Sequence, residues 1–271
     1  MQTLPIKDGV QEYLLSSWQD MLALAEDLFA KAPAYIYRGQ ADWDWPIVSS
    51  LRRLQAKHPR RKNLSGSNPP FFDCPPFSEE EHLAAFRRAI CGRRGATPPS
   101  LDEDECWALG QHHGLATPLI DWTRSPFMAL FFAFEEERIL RKDRLISPTD
   151  RAVFALSTSV FGDADGERGR ELRFVSLSGD DNSRLVSQQG LLVALPSETD
   201  LEEYIRKTFP NETSRAILTK FRIPNKDRDA CLNMLNKMGI NHMTLFPDIR
   251  GAARHVNSLW QPGHEDSIAY I

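Results

Sequence analysis

The sequence predicts an α+β fold, and three observations carry that reading. Helical periodicity concentrates early in the chain, strand-like runs gather from Ala152 onward, and strands and helices do not alternate in the regular βαβ manner of a doubly wound sheet. With 271 residues, 41% hydrophobic and 26% charged, the chain can bury a sizeable core, which excludes collagen-like and fully disordered classes. No internal repeat is found, so residues 1–271 are read as a single domain.

The elements follow in order. From Gln11 to Ala30 the positions Leu14, Leu15, Trp18, Leu22, Ala25, Leu28 and Phe29 recur at three- and four-residue spacing, which predicts an amphipathic helix closed by Pro33. The short aromatic and β-branched run Ala34 to Tyr37 predicts a strand that delivers Arg38 and Gly39 at its end. Residues 55–76 hold five prolines and Ser65-Gly-Ser-Asn68, a composition that predicts a long mobile loop. Ser78 with Glu81 three residues on is a helix-capping signature, and the helix it opens should reach Gly92. Pro98-Pro-Ser100 should cap a helix from Leu101 to Gly110. Ser125-Pro126 opens a segment, Phe127 to Phe134, that is apolar nearly all round and so belongs in the core. Strands are expected at Ala152–Leu156, Leu172–Leu177, Leu191–Leu195 and Ala216–Ile223, with a helix at Asp227–Met238 and Met243–Phe246 ended by Pro247.

Some function classes are set aside by composition. The longest apolar stretches fall far short of the ~20 residues needed to span a bilayer, so no membrane partner is expected. The N-terminus lacks a basic segment followed by an apolar run, so it does not read as a secretory signal, and a cytoplasmic protein is expected. Cys74, Cys91, Cys106 and Cys231 form no C-x-x-C pair, which argues against a zinc ribbon or a disulfide scaffold. The net charge is −4, but residues 51–100 carry ten Lys/Arg against four acids, so the basic segments 52–62 and 87–94 could face phosphates or an acidic partner.

The densest polar cluster runs from Gln111 to Pro126 and contains His112, His113, Thr117, Asp121, Thr123 and Ser125. Such groups must bond one another or open to a ligand. Asp121 or Thr123 could instead cap the following helix. His112, His113 and Asp121 are metal-ligand types, yet adjacent histidines point apart on a strand or a helix, so no metal is expected. Ser125 lacks the G-x-S-x-G elbow of a nucleophilic serine. Trp43, Trp45 and Trp122 flank the motifs, where one of them could stack on a ring of a ligand.

Tyr37-Arg-Gly-Gln40, followed by Trp45-Pro46 and Ser50-Leu-Arg52, resembles the opening signature of the FRG domain. Gln111-His-His-Gly114 through Thr117, Asp121-Trp-Thr123, Ser125-Pro126 and Ala129 to Ala133 resembles its central motif. Arg184 with Gln188-Gln-Gly-Leu191, and Thr244 to Asp248 with Gly251, resemble later ones. The resemblance implies a split, mixed β-sheet of the ADP-ribosyltransferase kind and NAD as substrate. Arg38 would then grip the NAD phosphates as a planar fork, with Gly39 letting the backbone approach the ligand.

Tyr37, Gly39, Gln40, Gln111, Thr117, Thr123 and Ser125 would shape the rest of the NAD site, and His112, His113, Asp121, Gln188 and Gln189 would serve the chemistry. Gly190 stands where such transferases carry a late-strand glutamate, so the negative charge would fall to Asp121. Ser157-Thr-Ser159 offers a competing match, although hydroxyl runs are common at strand ends. The expected activity is transfer of ADP-ribose to RNA, DNA or protein by a toxin or anti-phage effector, with an antitoxin as a further partner. A catalytically silent nucleotide- or protein-binding module and a nuclease are the rival classes.

Overall fold

The computed structural model describes residues 1–30, 35–58, 78–95, 97–141, 144–161, 172–175, 183–195 and 199–260. In chain order the first half contains strands β1 (Gln2–Thr3) and β2 (Val10–Leu14), helix α1 (Gln19–Ala30), β3 (Tyr35–Gln40), α2 (Ser50–Lys57), α3 (Glu79–Ala89), α4 (Glu103–His112), β4 (Leu119–Thr123) and α5 (Pro126–Phe134). The second contains β5 (Ile139–Arg141), β6 (Arg144–Ile146), β7 (Asp150–Ser157), β8 (Arg173–Val175), α6 (Ser183–Ser187), β9 (Gly190–Ala194), α7 (Leu201–Thr208), β10 (Leu218–Pro224), α8 (Arg228–Lys237), α9 (His242–Leu245) and α10 (Ile249–Ser258).

Eight strands form one mixed sheet in the order β1-β2-β10-β7-β3-β4-β9-β8, and β5 pairs with β6 as a separate hairpin. β10 runs parallel to β2, while β7 pairs antiparallel with both β10 and β3. The fold is therefore α+β, as the sequence predicts. Along β7 the side chains alternate between two cores. Val153 and Ala155 pack with Tyr37, Phe221 and α5, whereas Ala152, Phe154 and Leu156 pack with Ile36, Trp122 and the α7 residues Leu201 and Ile205. Both faces are covered, which is why β7 reads as a continuous apolar run. A third cluster sets Cys106, Trp107 and Ala108 of α4 against Leu119, Leu192 and Ala194.

The sheet is nearly parted at one place. β3 pairs with β7 at six positions and β4 with β9 at five, but β3 and β4 share only Tyr37 opposite Thr123.

Helix α5 sits at the centre of the molecule. The Ser125 hydroxyl accepts from the Met128 amide at its start, with Pro126 at the first helical position. At its end, Nη1 of buried Arg151 donates to the Ala133 carbonyl at 3.0 Å. Arg228, also buried, donates to the Phe134 carbonyl at 2.8 Å and the Glu135 carbonyl at 2.7 Å. These are the carbonyls that a helix C-terminus otherwise leaves orphaned.

Several boundaries differ from the sequence reading. The expected helix over residues 11–30 begins at Gln19, and Val10–Leu14 is instead a strand held in register by Leu218 to Arg222. Arg38 lies inside β3, which continues to Gln40. Asp102, whose carboxylate accepts from the Glu105 amide at 2.7 Å, caps α4 in place of Ser100. Of the expected loop over 55–76, Gln55 to Lys57 belong to α2, and residues 59–76 lie outside the described residues.

Candidate functional site

A cleft of about 730 Å³ opens at the seam between β3 and β4, with walls from α2, α5 and α10. Arg38 occupies the seam. Its Nη1 donates to the main-chain carbonyl of Asp121 at 2.7 Å, so the side chain bridges the two strands where their own hydrogen bonds are missing. Its Nε is buried without a hydrogen-bond partner among the described residues. Burial pushes the guanidinium pKa down; the Asp121 charge opposes this and the Arg53 charge adds to it.

Asp121 is exposed on β4, and its carboxylate accepts from Gln111 Nε2 at 2.7 Å. The Gln111 carbonyl oxygen in turn accepts from the Thr117 hydroxyl. Thr117 is fully buried and is fixed by Ser50, whose hydroxyl accepts from the Thr117 amide at 2.9 Å. Gln111 and Thr117 therefore lie behind the cleft and aim Asp121 into it.

Of the remaining expected residues, Tyr37, Gly39, Gln40, His112, Thr123 and Gln188 also line the cleft, whereas His113, Ser125 and Gln189 do not. The rings of His112 and His113 meet edge-on at 5.0 Å, so the two adjacent side chains lie against each other, although only His112 lines the cleft. Among the described residues no group of three His, Cys, Asp or Glu is placed to hold a metal ion. The Thr123 hydroxyl donates to the Gln188 carbonyl at 2.8 Å and accepts from the Ser125 amide at 3.1 Å, tying β4 to the turn before β9. Ser125 is the α5 cap described above.

Gln188 spends its amide on the Leu245 carbonyl at 3.1 Å, and Gln189 is an exposed turn residue with φ 45°. Neither carries a charge. At Gly190 an added Cβ would meet Leu185 Cδ1 at 2.7 Å, so a glutamate there would require repacking.

Gly39 lines the cleft and also serves packing. A Cβ on it would fall 1.9 Å from the Ala129 carbonyl oxygen and 2.6 Å from the Ala133 nitrogen, which is how closely α5 lies on β3. The Tyr37 ring lies in the core with its hydroxyl buried and unpartnered among the described residues, and burial pushes its pKa up to about 12. Gln40 donates to the Trp45 carbonyl at 2.9 Å. Trp45 and Trp122 both line the cleft, Trp45 exposed and Trp122 largely buried in the core behind it, and Trp43 lies under the Lys220 ammonium at 4.5 Å. Ser157 is buried, bonds Ser159, and does not reach the cleft.

Sequence reasoning missed Glu135 and Glu136 after α5 and Arg250 and Arg254 on α10, and it named Arg53 of α2 only as part of the basic segment 52–62, not as a cleft residue. Arg254 pairs with Glu135 and Glu136, and His242 meets Glu135 at 3.0 Å. The readable signal was Asp248 as a cap followed by arginines four residues apart, which places both on one helix face.

No curated protein and no solved structure matches the chain. The family model of the FRG domain matches residues 33–142, a span that runs from β3 through β5 and so holds both sides of the seam, Arg38, Gln111 and Asp121, while Gln188 and α10 come from beyond it. Residues 33–142 of this chain are an FRG domain.

Proposed function

We propose that the cleft binds NAD and transfers its ADP-ribose to a macromolecule in the cytoplasm, as a toxin or antiviral effector does. The observation that carries this reading is the Arg38 guanidinium, held by a single main-chain carbonyl in the seam of a split sheet, with a buried N–H left unpartnered beside the cleft. A planar cation with spare donors suits a diphosphate. Trp45 and Phe132 supply apolar surface for the rings of the substrate. In the reaction the bond between ribose C1′ and nicotinamide breaks, its electron pair leaving with the nicotinamide nitrogen. The acceptor's nucleophilic atom bonds C1′ and gives up its proton. Asp121, aimed by Gln111, is the carboxylate in place to take that proton and to stabilise the positive charge developing on the ribose. The basic segments at 52–62 and 87–94 suit RNA or DNA as acceptor, and an antitoxin would cover the same charge.

One observation favours a silent nucleotide-binding module: the late-strand position is Gly190 and the neighbouring Gln188 amide is committed to Leu245. Incubation with labelled NAD and cell extract separates the two. Transfer predicts label on a macromolecule, lost with Arg38→Ala and lowered roughly 100-fold by Asp121→Asn with NAD binding retained. NAD binding without label in the wild type supports the silent module.

A further inference from the structure

Arg53 stands beside Arg38 in the cleft but on a different element, α2. The two are held alike. Arg38 Nη1 is anchored to the Asp121 carbonyl at 2.7 Å and Arg53 Nη1 to the Val48 carbonyl at 2.7 Å, and among the described residues neither makes an ion pair with a carboxylate. Main-chain carbonyls fix the two side chains without neutralising them.

Of the acidic groups of the same cleft, Glu135 and Glu136 are engaged by Arg254 and Asp248 by the Gly251 amide, while the Asp121 carboxylate, held by Gln111, acts on Arg38 without forming an ion pair with it among the described residues. Burial lowers the pKa of both guanidiniums; for Arg38 the Asp121 charge opposes the fall and the Arg53 charge adds to it. Two like charges converging on a concave site, Arg38 offset only in part by Asp121, are costly unless a polyanion joins them.

We propose that Arg53 forms with Arg38 a two-guanidinium clamp, and that the group it takes is a diphosphate, one phosphate to each arginine. This deepens the NAD reading and rests on it for the choice of nucleotide, but it does not require turnover.

Calorimetric titration of the full chain with ADP, AMP and inorganic pyrophosphate tests it. ADP and pyrophosphate should bind the wild type, ADP at least 10-fold tighter than AMP. Arg53→Ala should erase most of that difference. Arg53→Lys should restore only part of it, because an ammonium cannot fork two oxygens. Arg215→Ala, which removes an exposed charge outside the cleft, should leave binding unchanged. Melting curves establish that each variant is folded, and Arg53→Lys keeps the test open if the alanine variant is not. Equal affinity of the wild type for ADP and AMP, or unaltered ADP affinity in folded Arg53 variants, overturns the clamp. Tight, Arg53-dependent ADP binding in a protein that never labels a macromolecule upholds the clamp and removes the transfer reading.

Discussion

At position 39 there is room for a hydrogen atom and nothing larger, since a methyl group would fall 1.9 Å from the Ala129 oxygen, which belongs to a rigid helix backbone. Gly39→Ala should therefore destabilise the fold by about 3 kcal/mol through overpacking, read as a lowered urea midpoint with no ligand present. An unchanged midpoint would show that α5 shifts to admit the methyl group. Tyr37 makes the opposite case. Its phenol titrates near pH 10 in an unfolded chain and near 12 in the fold, so the unfolded state loses its proton first. The resulting stability is whole below about pH 10 and falls as pH rises toward 12. Tyr37→Phe should flatten that part of the alkaline fall and cost little at neutral pH, because the buried hydroxyl has no partner among the described residues. Asp121 was legible because its motif is dense in polar groups, and Arg38 through the resemblance carried by Tyr37-Arg-Gly-Gln40. That Gln111 and Thr117 stand behind Asp121, while Arg53 stands in front, depends on how α2 and α4 pack, and no spacing in the sequence encodes it.

The elements that announce themselves are those with local chemistry. Ser78 and Ser125 accept from the amides at their helix starts as their sequences predict. The helix expected from Gln11 failed at its beginning for a non-local reason. Leu14, Leu15 and Trp18 satisfy helical spacing, but Val10 to Leu14 lie beside β10, about two hundred residues further on, and five main-chain pairings outweigh a weak periodicity. The end of α5 was equally silent. Its last carbonyls are met by Arg151 from β7 and Arg228 from α8, and burial pulls the Arg151 pKa down to about 10. Arg228→Met should cost about 3 kcal/mol, because it strips the donors from two carbonyls at a buried helix end. Denaturant unfolding measures this, and a loss below about 0.5 kcal/mol, the range of ordinary surface substitutions, would mean that water replaces the guanidinium.

Across the whole molecule, strands, helices and a basic segment combine so that the cleft draws on both the FRG domain and the later chain. The sheet that carries it has unequal joints. β7 is bound along its length on both sides, whereas the halves meeting at β3 and β4 are joined by Tyr37 with Thr123 and by the Arg38 side chain. Amide exchange should report this inequality: β4 and β9 should exchange faster than β7 and β10, and saturating ADP should slow β4 and β9 selectively. Uniform protection across all four strands would show that the seam is no weaker than the rest. A bound diphosphate would then act as a missing rung of the sheet, closing through Arg38 a ladder that the backbone leaves open. Affinity and cohesion would rise and fall together, so a variant selected to hold its ligand loosely would also be one whose two halves breathe apart.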